Sequence, residues 1–161
     1  YAQEYGMGVV IVRPSNLYGP RDNFSPETSH VIPALIRRVY DETGNLFDVW
    51  GSGRQTRSFL YVTDAVSGML AALEKIIDPE PLNLASPEEV TIGNLAKLVI
   101  ARSGMDKTVR FLTDKPEGQM RKAASPEKTA KALGWQASTS LENGLRETID
   151  WYKETMNGNQ S

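Results

Sequence analysis

The chain has 161 residues, 40% hydrophobic and 24% charged, a balance that fits one soluble globular domain and excludes wholesale disorder. Eighteen Lys and Arg stand against 20 Asp and Glu, so at a net charge of −2 no global field draws in nucleic acid or anionic lipid. The sequence holds no cysteine, no apolar run near the roughly 18 residues of a membrane span and no visible signal peptide, which excludes disulfides and thiolate chemistry and makes cytoplasmic the expected location.

The sequence opens on Tyr1, without an initiator Met, and residues 1–5 read as the end of a helix closed by Gly6. The run Val9-Val10-Ile11-Val12 is apolar and β-branched, the pattern of a strand buried on both faces in a parallel sheet. Such a strand needs neighbours, from later in this chain, from another chain or from a segment outside this sequence. The expectation is a fragment of a longer protein or the product of a truncated gene. Residues 13–29 form a long polar loop. A helix follows, capped by Ser29, with Pro33 in its first turn and Val31, Leu35, Ile36 and Val39 as its apolar stripe.

Residues 47–50 read as a strand, Gly51-Ser52-Gly53 as a turn, and residues 58–62 as another strand. Asp64 is expected to cap a helix whose stripe is Val66, Met69, Leu73, Ile76 and Ile77. Residues 81–85 make a short strand. Thr91 caps a helix with Ile92, Leu95, Ala96 and Val99 on one side, and Gly104 ends it. Residues 108–112 alternate like a strand. Ser125 is an N-cap followed by Pro126 at the first helical position, and Gly134 stops that helix. Thr139 and Glu142 have capping-box spacing before a last helix lined by Leu141, Leu145, Ile149 and Tyr152. Strands alternating with helices predict an α/β chain, with residues 1–156 as a single unit and 157–161 as a disordered tail.

Four segments could carry chemistry. Residues 13–24 follow the C-terminal end of the first strand, the place where open α/β sheets bind ligands; they also fit a rigid structural loop. Ser29-His30 opens a helix, where free N–H groups favour an anion, and His30 is the only histidine; a lone histidine is more often a capping or surface residue. Residues 50–59 pair Trp50 with Arg54 and Arg57 across a Gly-rich turn, suited to a base and a phosphate, or simply to an exposed hairpin. Residues 115–122 form a basic loop with a Pro-Glu-Gly turn that could close over a pyrophosphate or ribose, or stay solvated. The basic cluster is too short and too poor in aromatics for nucleic acid. Within these 161 residues there is no Gly-rich dinucleotide fingerprint, no Walker loop and no Tyr-x-x-x-Lys pair; four positions after Tyr1 stands Tyr5.

Together these segments resemble one family. Pro14-Ser15-Asn16-Leu17-Tyr18-Gly19-Pro20-Arg21-Asp22-Asn23-Phe24 and Ser29-His30-Val31-Ile32-Pro33 are similar to the NAD(P)-dependent nucleotide-sugar epimerase/dehydratases, the extended short-chain dehydrogenase/reductases, and within them to the GDP-L-fucose synthase branch. So are Trp50-Gly51-Ser52-Gly53, Arg57-Ser58-Phe59-Leu60-Tyr61-Val62-Thr63-Asp64, Lys115-Pro116-Glu117-Gly118, Leu133-Gly134-Trp135, and the last helix from Ser140-Leu141-Glu142 to Trp151-Tyr152.

The resemblance implies a Rossmann-like α/β fold of which this chain is the C-terminal part, including the substrate-binding lobe. The family's Gly-rich motif and Tyr-x-x-x-Lys pair lie upstream of the position matching Tyr1. It implies cofactor contacts from Pro14, Ser15, Asn16, Leu17 and His30, and nucleotide-sugar contacts from Asn16, Arg38, Trp50, Arg57 and Glu117. Arg38 and Arg57 would meet pyrophosphate charge, Trp50 an apolar plane, and Glu117 hydroxyls or base N–H groups. Ser15 replaces the branch's Thr, and Ser125 replaces an Asp of many members, so Ser125 is assigned no function. The expected cofactor of the full-length family is NAD or NADP, none held tightly by this chain alone, with no metal and no catalytic residue in it. Expected partners are a nucleotide diphosphate sugar and either a second copy or the missing N-terminal half. A stand-alone, non-catalytic nucleotide-sugar-binding or dimerisation module is the alternative.

Overall fold

The computed structural model describes residues 2–75 and 80–158. A short helix α1 (Ala2–Tyr5) ends at Gly6, whose φ of +63° suits glycine. Strand β1 (Val12–Pro14) begins later than the apolar run predicts, and the run is not buried on both faces: Ile11 is exposed and Val9, Val10 and Val12 are half-buried. The reason is pairing. Among the described residues β1 has one neighbour, the parallel strand β5 (Leu82–Leu84).

The polar stretch after β1 is not all loop. Ser15 N–H still donates to Leu84 C=O at 2.8 Å, and the next residues, β2 (Asn16–Tyr18), pair instead with the parallel strand β4 (Thr56–Tyr61). The chain therefore changes sheets at Ser15. Residues 19–29 run on to α2 (Val31–Asp41), held by Phe24, which stacks on Tyr152 with ring centroids 4.7 Å apart. The N-cap is His30 rather than Ser29, and its side chain makes no capping bond.

Strand β3 (Leu46–Trp50) pairs with the parallel strand β7 (Thr108–Leu112). Strand β4 carries β6 (Glu89–Thr91) antiparallel and β8 (Arg121–Lys122) parallel. Helix α3 (Val62–Lys75) follows β4 directly. Asp64 does not cap it; at 6% exposed the carboxylate accepts from Thr139 N–H and Ser138 O–H at 2.9 and 3.1 Å, tying α3 to the approach of the last helix.

The predicted stripe of α3 is also corrected. Val66, Met69 and Leu73 are exposed, while Ala65, Gly68 and Ala72 face the sheet; Ile76 and Ile77 lie outside the described residues. Small residues win the inner face because it sits tightly on Leu84 and Trp135: a Cβ on Gly68 would lie 3.0 Å from both side chains.

Thr91 caps α4 (Ile92–Ser103) by accepting from Asn94 N–H at 3.1 Å, and Gly104 closes it at φ +77°. Helix α5 (Glu127–Leu133) is preceded by Pro126 at its N-cap position, already in helical conformation, and the expected capping bond comes from Ser125, whose Oγ accepts from Glu127 N–H at 3.3 Å. Helix α6 (Leu141–Gly158) starts under Ser140, which accepts from Asn143 N–H; Thr139 is spent on Asp64 and Glu142 pairs with Arg102, so the expected capping box does not form. The helix runs through the first two residues of the expected tail, and residues 159–161 lie outside the described ones. The main core joins α2, α4 and α6 with β3 and the aromatics Tyr18, Phe59 and Tyr61; Leu141, Leu145, Ile149 and Tyr152 are all buried there. Among the described residues no helix is long and apolar enough to cross a membrane, and no cluster of three potential metal ligands occurs.

Candidate functional site

The sheet change at Ser15 shapes the site. Asn16, the first residue on the second sheet, donates from Nδ2 to Ser58 C=O at 2.8 Å, which fixes its amide against β4. Two hollows meet there, sharing Asn16, Val31 and Phe59 as walls.

The larger hollow encloses about 830 Å³ and is lined by Pro14, Ser15, Asn16, Leu17 and His30, all five of the expected cofactor residues. Arg13, Arg21 and Lys122 also border it and make the rim cationic, against the single carboxylate of Asp22. Arg21 holds φ at +67°, a left-handed conformation that costs a non-glycine residue about 1–2 kcal/mol. Ser15 Oγ, Ser58 Oγ and Asp22 Oδ2 are buried along this hollow without a hydrogen-bond partner among the described residues. Buried polar atoms of that kind ordinarily find partners, so this wall has hydrogen-bonding capacity to spare for a polar ligand.

The smaller hollow, about 250 Å³, brings together Asn16, Trp50, Gln55 and Arg57 under the loop residues Pro116 and Gly118. Arg57 and Phe59 reach it by the two-residue alternation of β4, and Gln55, just ahead of that strand, joins them. Trp50 is 62% exposed, an aromatic plane open to a stacking partner. The Arg57 guanidinium donates to Thr56 C=O and Gln119 C=O at 2.7 and 2.8 Å.

Arg38 does not join them. Its guanidinium binds Glu42 at 2.5 Å and Asp48 C=O at 2.8 Å and lies 4.9 Å from the centre of the Phe47 ring. It closes the end of α2 onto β3, away from both hollows. Glu117 stands between the two outcomes: its carboxylate accepts from Ser52 N–H, next to the smaller hollow, and this bond holds its pKa below the usual carboxylate value.

Tyr18 also lines the larger hollow, yet burial first, and then the carboxylate of Glu88, push its phenol far above the ordinary value of 10.0. The same holds for Tyr61, whose hydroxyl donates to Glu147 at 2.6 Å. In each, burial favours the protonated phenol, which donates to Leu141 C=O from Tyr18 and to Glu147 from Tyr61.

The larger hollow lies where the chain changes sheets, the kind of place in an open α/β sheet where ligands bind. Residues 1–85 match the NAD dependent epimerase/dehydratase family, and the chain belongs to that family. GDP-L-fucose synthase 1 of Arabidopsis thaliana is 40% identical over 155 residues, covering 94% of this chain and 48% of that protein. A GDP-L-fucose synthetase from Naegleria fowleri, solved bound to NADP, superposes with a TM-score of 0.85 at 34% identity, over 92% of this chain and 46% of its own. UDP-glucose 4-epimerase of Thermotoga maritima, solved with UDP-glucose, gives a TM-score of 0.84 at 29% identity, over 96% and 49%. The fold is thus that of the extended short-chain dehydrogenase/reductases, and the chain spans about half the length of the curated relatives it matches.

Proposed function

We propose that this chain is the nucleotide-sugar-binding, C-terminal portion of an NAD(P)-dependent sugar epimerase, reductase or dehydratase. The observation that carries the reading is the junction at Asn16: one hydrogen-bonded amide divides a larger, cation-rimmed hollow from a smaller one holding Trp50 and Arg57.

The division of labour follows from the chemistry of the walls. The larger hollow fits the nicotinamide end of a dinucleotide, whose carboxamide can both donate and accept. Ser15 and Ser58 hydroxyls and the Asp22 carboxylate supply the complementary groups, and His30 and the rim cations suit its phosphates. When bound, that cofactor takes or returns a hydride at the sugar. In the smaller hollow Arg57 suits the diphosphate, Trp50 the base, and Asn16 the sugar side facing the cofactor. With Tyr18 and Tyr61 held neutral, neither phenol is a base; the reading assigns acid–base catalysis to a Tyr-x-x-x-Lys pair outside these 161 residues and binding to this chain.

Calorimetric titration of the chain with GDP-, UDP- and dTDP-sugars tests it: at least one binds with one-to-one stoichiometry, while NAD(P) is held weakly. Absence of binding by all three sinks the reading, and NAD(P)-dependent turnover by the isolated chain sinks the assignment of catalysis elsewhere.

The exposed Val66, Met69, Leu70 and Leu73 of α3 favour a second reading, a non-catalytic module that pairs with another copy. Light scattering that finds a monomer at high micromolar concentration removes it.

A further inference from the structure

The turn that follows Trp50, residues 51–55, reads Gly-Ser-Gly-Arg-Gln and has no apolar side chain of its own to hold it in place. Three main-chain bonds and one ring do so instead. Gly51 N–H donates to Leu112 C=O, Gly93 N–H to Gly53 C=O and Ile92 N–H to Gln55 C=O, each at 2.9 Å. The last two donors belong to the first turn of α4, where N–H groups have no partner within the helix. The turn therefore occupies the open end of α4, and α4 holds the turn.

Phe111 fills the angle between them. A Cβ on Gly53 would stand 2.2 Å from its ring and one on Gly93 2.9 Å, so the ring lies against both glycines. Across β3 and β7, Phe111 pairs with Val49 and Leu112 with Trp50, and strand alternation sends Phe111 and Trp50 to opposite faces. Phe111 is 38% exposed and lines neither hollow. It is thus neither a core residue nor a wall of the site, and what it touches is the turn.

We propose that Phe111 is a positioning residue: its ring seats the 51–55 turn on the start of α4, and that seat fixes Trp50 and Gln55, at the two ends of the turn, on the wall of the smaller hollow. The proposal rests on the nucleotide-sugar reading above. Without the ring the turn keeps its polar composition but loses its floor, and a ligand has to order it on binding, which weakens affinity.

Amide exchange of Ile92 and Gly93, followed by NMR, reads the seat. Calorimetric titration of GDP, UDP and dTDP, run well below the melting temperature, reads the site. Both are applied to the wild-type chain, Phe111→Ala and Phe111→Met, because methionine can fill much of the ring's place and alanine cannot. The expected result is Ile92 and Gly93 exchange several-fold faster in Phe111→Ala, with Val99 and Ile100 deeper in α4 at wild-type rates. Nucleotide affinity falls about five- to tenfold in Phe111→Ala and about twofold in Phe111→Met. A purely structural role lowers the melting temperature and leaves the affinity of the folded protein alone, so unchanged affinity in Phe111→Ala overturns the proposal. Lost affinity with unchanged Ile92 and Gly93 exchange also overturns it, because the ring would then act by another route. Should Phe111→Ala not fold, Phe111→Met decides: a small loss of affinity together with faster exchange supports the seat, and wild-type values for either overturn it. If no diphosphate binds the wild type, the nucleotide-sugar reading falls and the proposal with it; equal binding by wild type and Phe111→Ala removes the proposal and leaves that reading standing.

Discussion

Two arginines of similar appearance in the sequence occupy different chemical situations. Arg57 faces a hollow, with its guanidinium on the carbonyls of Thr56 and Gln119, whereas Arg38 is bound to Glu42 and Asp48 C=O beneath the Phe47 ring. Charge-assisted hydrogen bonds to a phosphate are lost in Arg57→Ala, so nucleotide-diphosphate affinity should fall about 10- to 100-fold, read by calorimetry. Arg38→Ala should leave that affinity within about twofold and instead lower the melting temperature, because it removes a tie between α2 and β3. Sequence likeness assigns both arginines to the same ligand; the fold separates them, since the return of the chain from α2 into β3 brings the Asp48 carbonyl to Arg38.

The tyrosines make a second prediction at this scale. Burial raises the Tyr18 and Tyr61 phenols above their ordinary value of 10.0. A raised folded value means that the protonated form is favoured in the native state. Its stabilising contribution is complete below the unfolded value and is lost as pH rises from about 10 toward the folded value. Thermal unfolding followed across that range should show the melting temperature falling above pH 10, and the fall should be smaller in Tyr61→Phe. A flat profile would contradict the burial assigned to these rings.

At the scale of elements, α6 and α3 invert the usual meaning of glycine and leucine. A glycine inside a helix normally costs up to about 1 kcal/mol relative to alanine. In α6, however, Gly144 lies against the Tyr18 hydroxyl and Tyr61, where a Cβ would overlap the phenol. Gly144→Ala should therefore destabilise by roughly 1–3 kcal/mol in denaturant unfolding, through overpacking. Leu145, beside it and fully buried, should cost about 2–5 kcal/mol as Leu145→Ala. Leu73, an equally plausible core residue on paper, is 70% exposed, and Leu73→Ala should stay within about 0.5 kcal/mol. A large loss there would show that the α3 face is covered in solution.

Across the whole molecule, sequence reading succeeds where one local rule decides and fails where packing chooses between two. Thr91 and Gly104 bracket α4 as their chemistry requires, and the inner face of α6 follows from its periodicity. Helix α3 misleads because its large apolar residues and its small ones both recur at helical spacing, and only the tight seat on Leu84 and Trp135 selects the small set. Asp64 is ambiguous in the same way: a carboxylate at a helix start looks like a cap until a distant loop supplies Ser138 and Thr139. In the site, Asn16, Trp50 and Arg57 are legible from the family resemblance and converge in space, while Gln55 and Lys122 lie within two of the candidate segments and are singled out by the geometry around β4 and β8. The two-residue spacing of Gln55 from Arg57 and Phe59, carried back one residue ahead of β4, is the signal for Gln55.

The bond between Asn16 and its neighbouring strand ends on a carbonyl, a group every amino acid carries. The junction itself thus asks of position 58 only that its side chain fit an enclosed place, leaving the Ser58 hydroxyl free for the larger hollow, whereas position 16 must keep its amide.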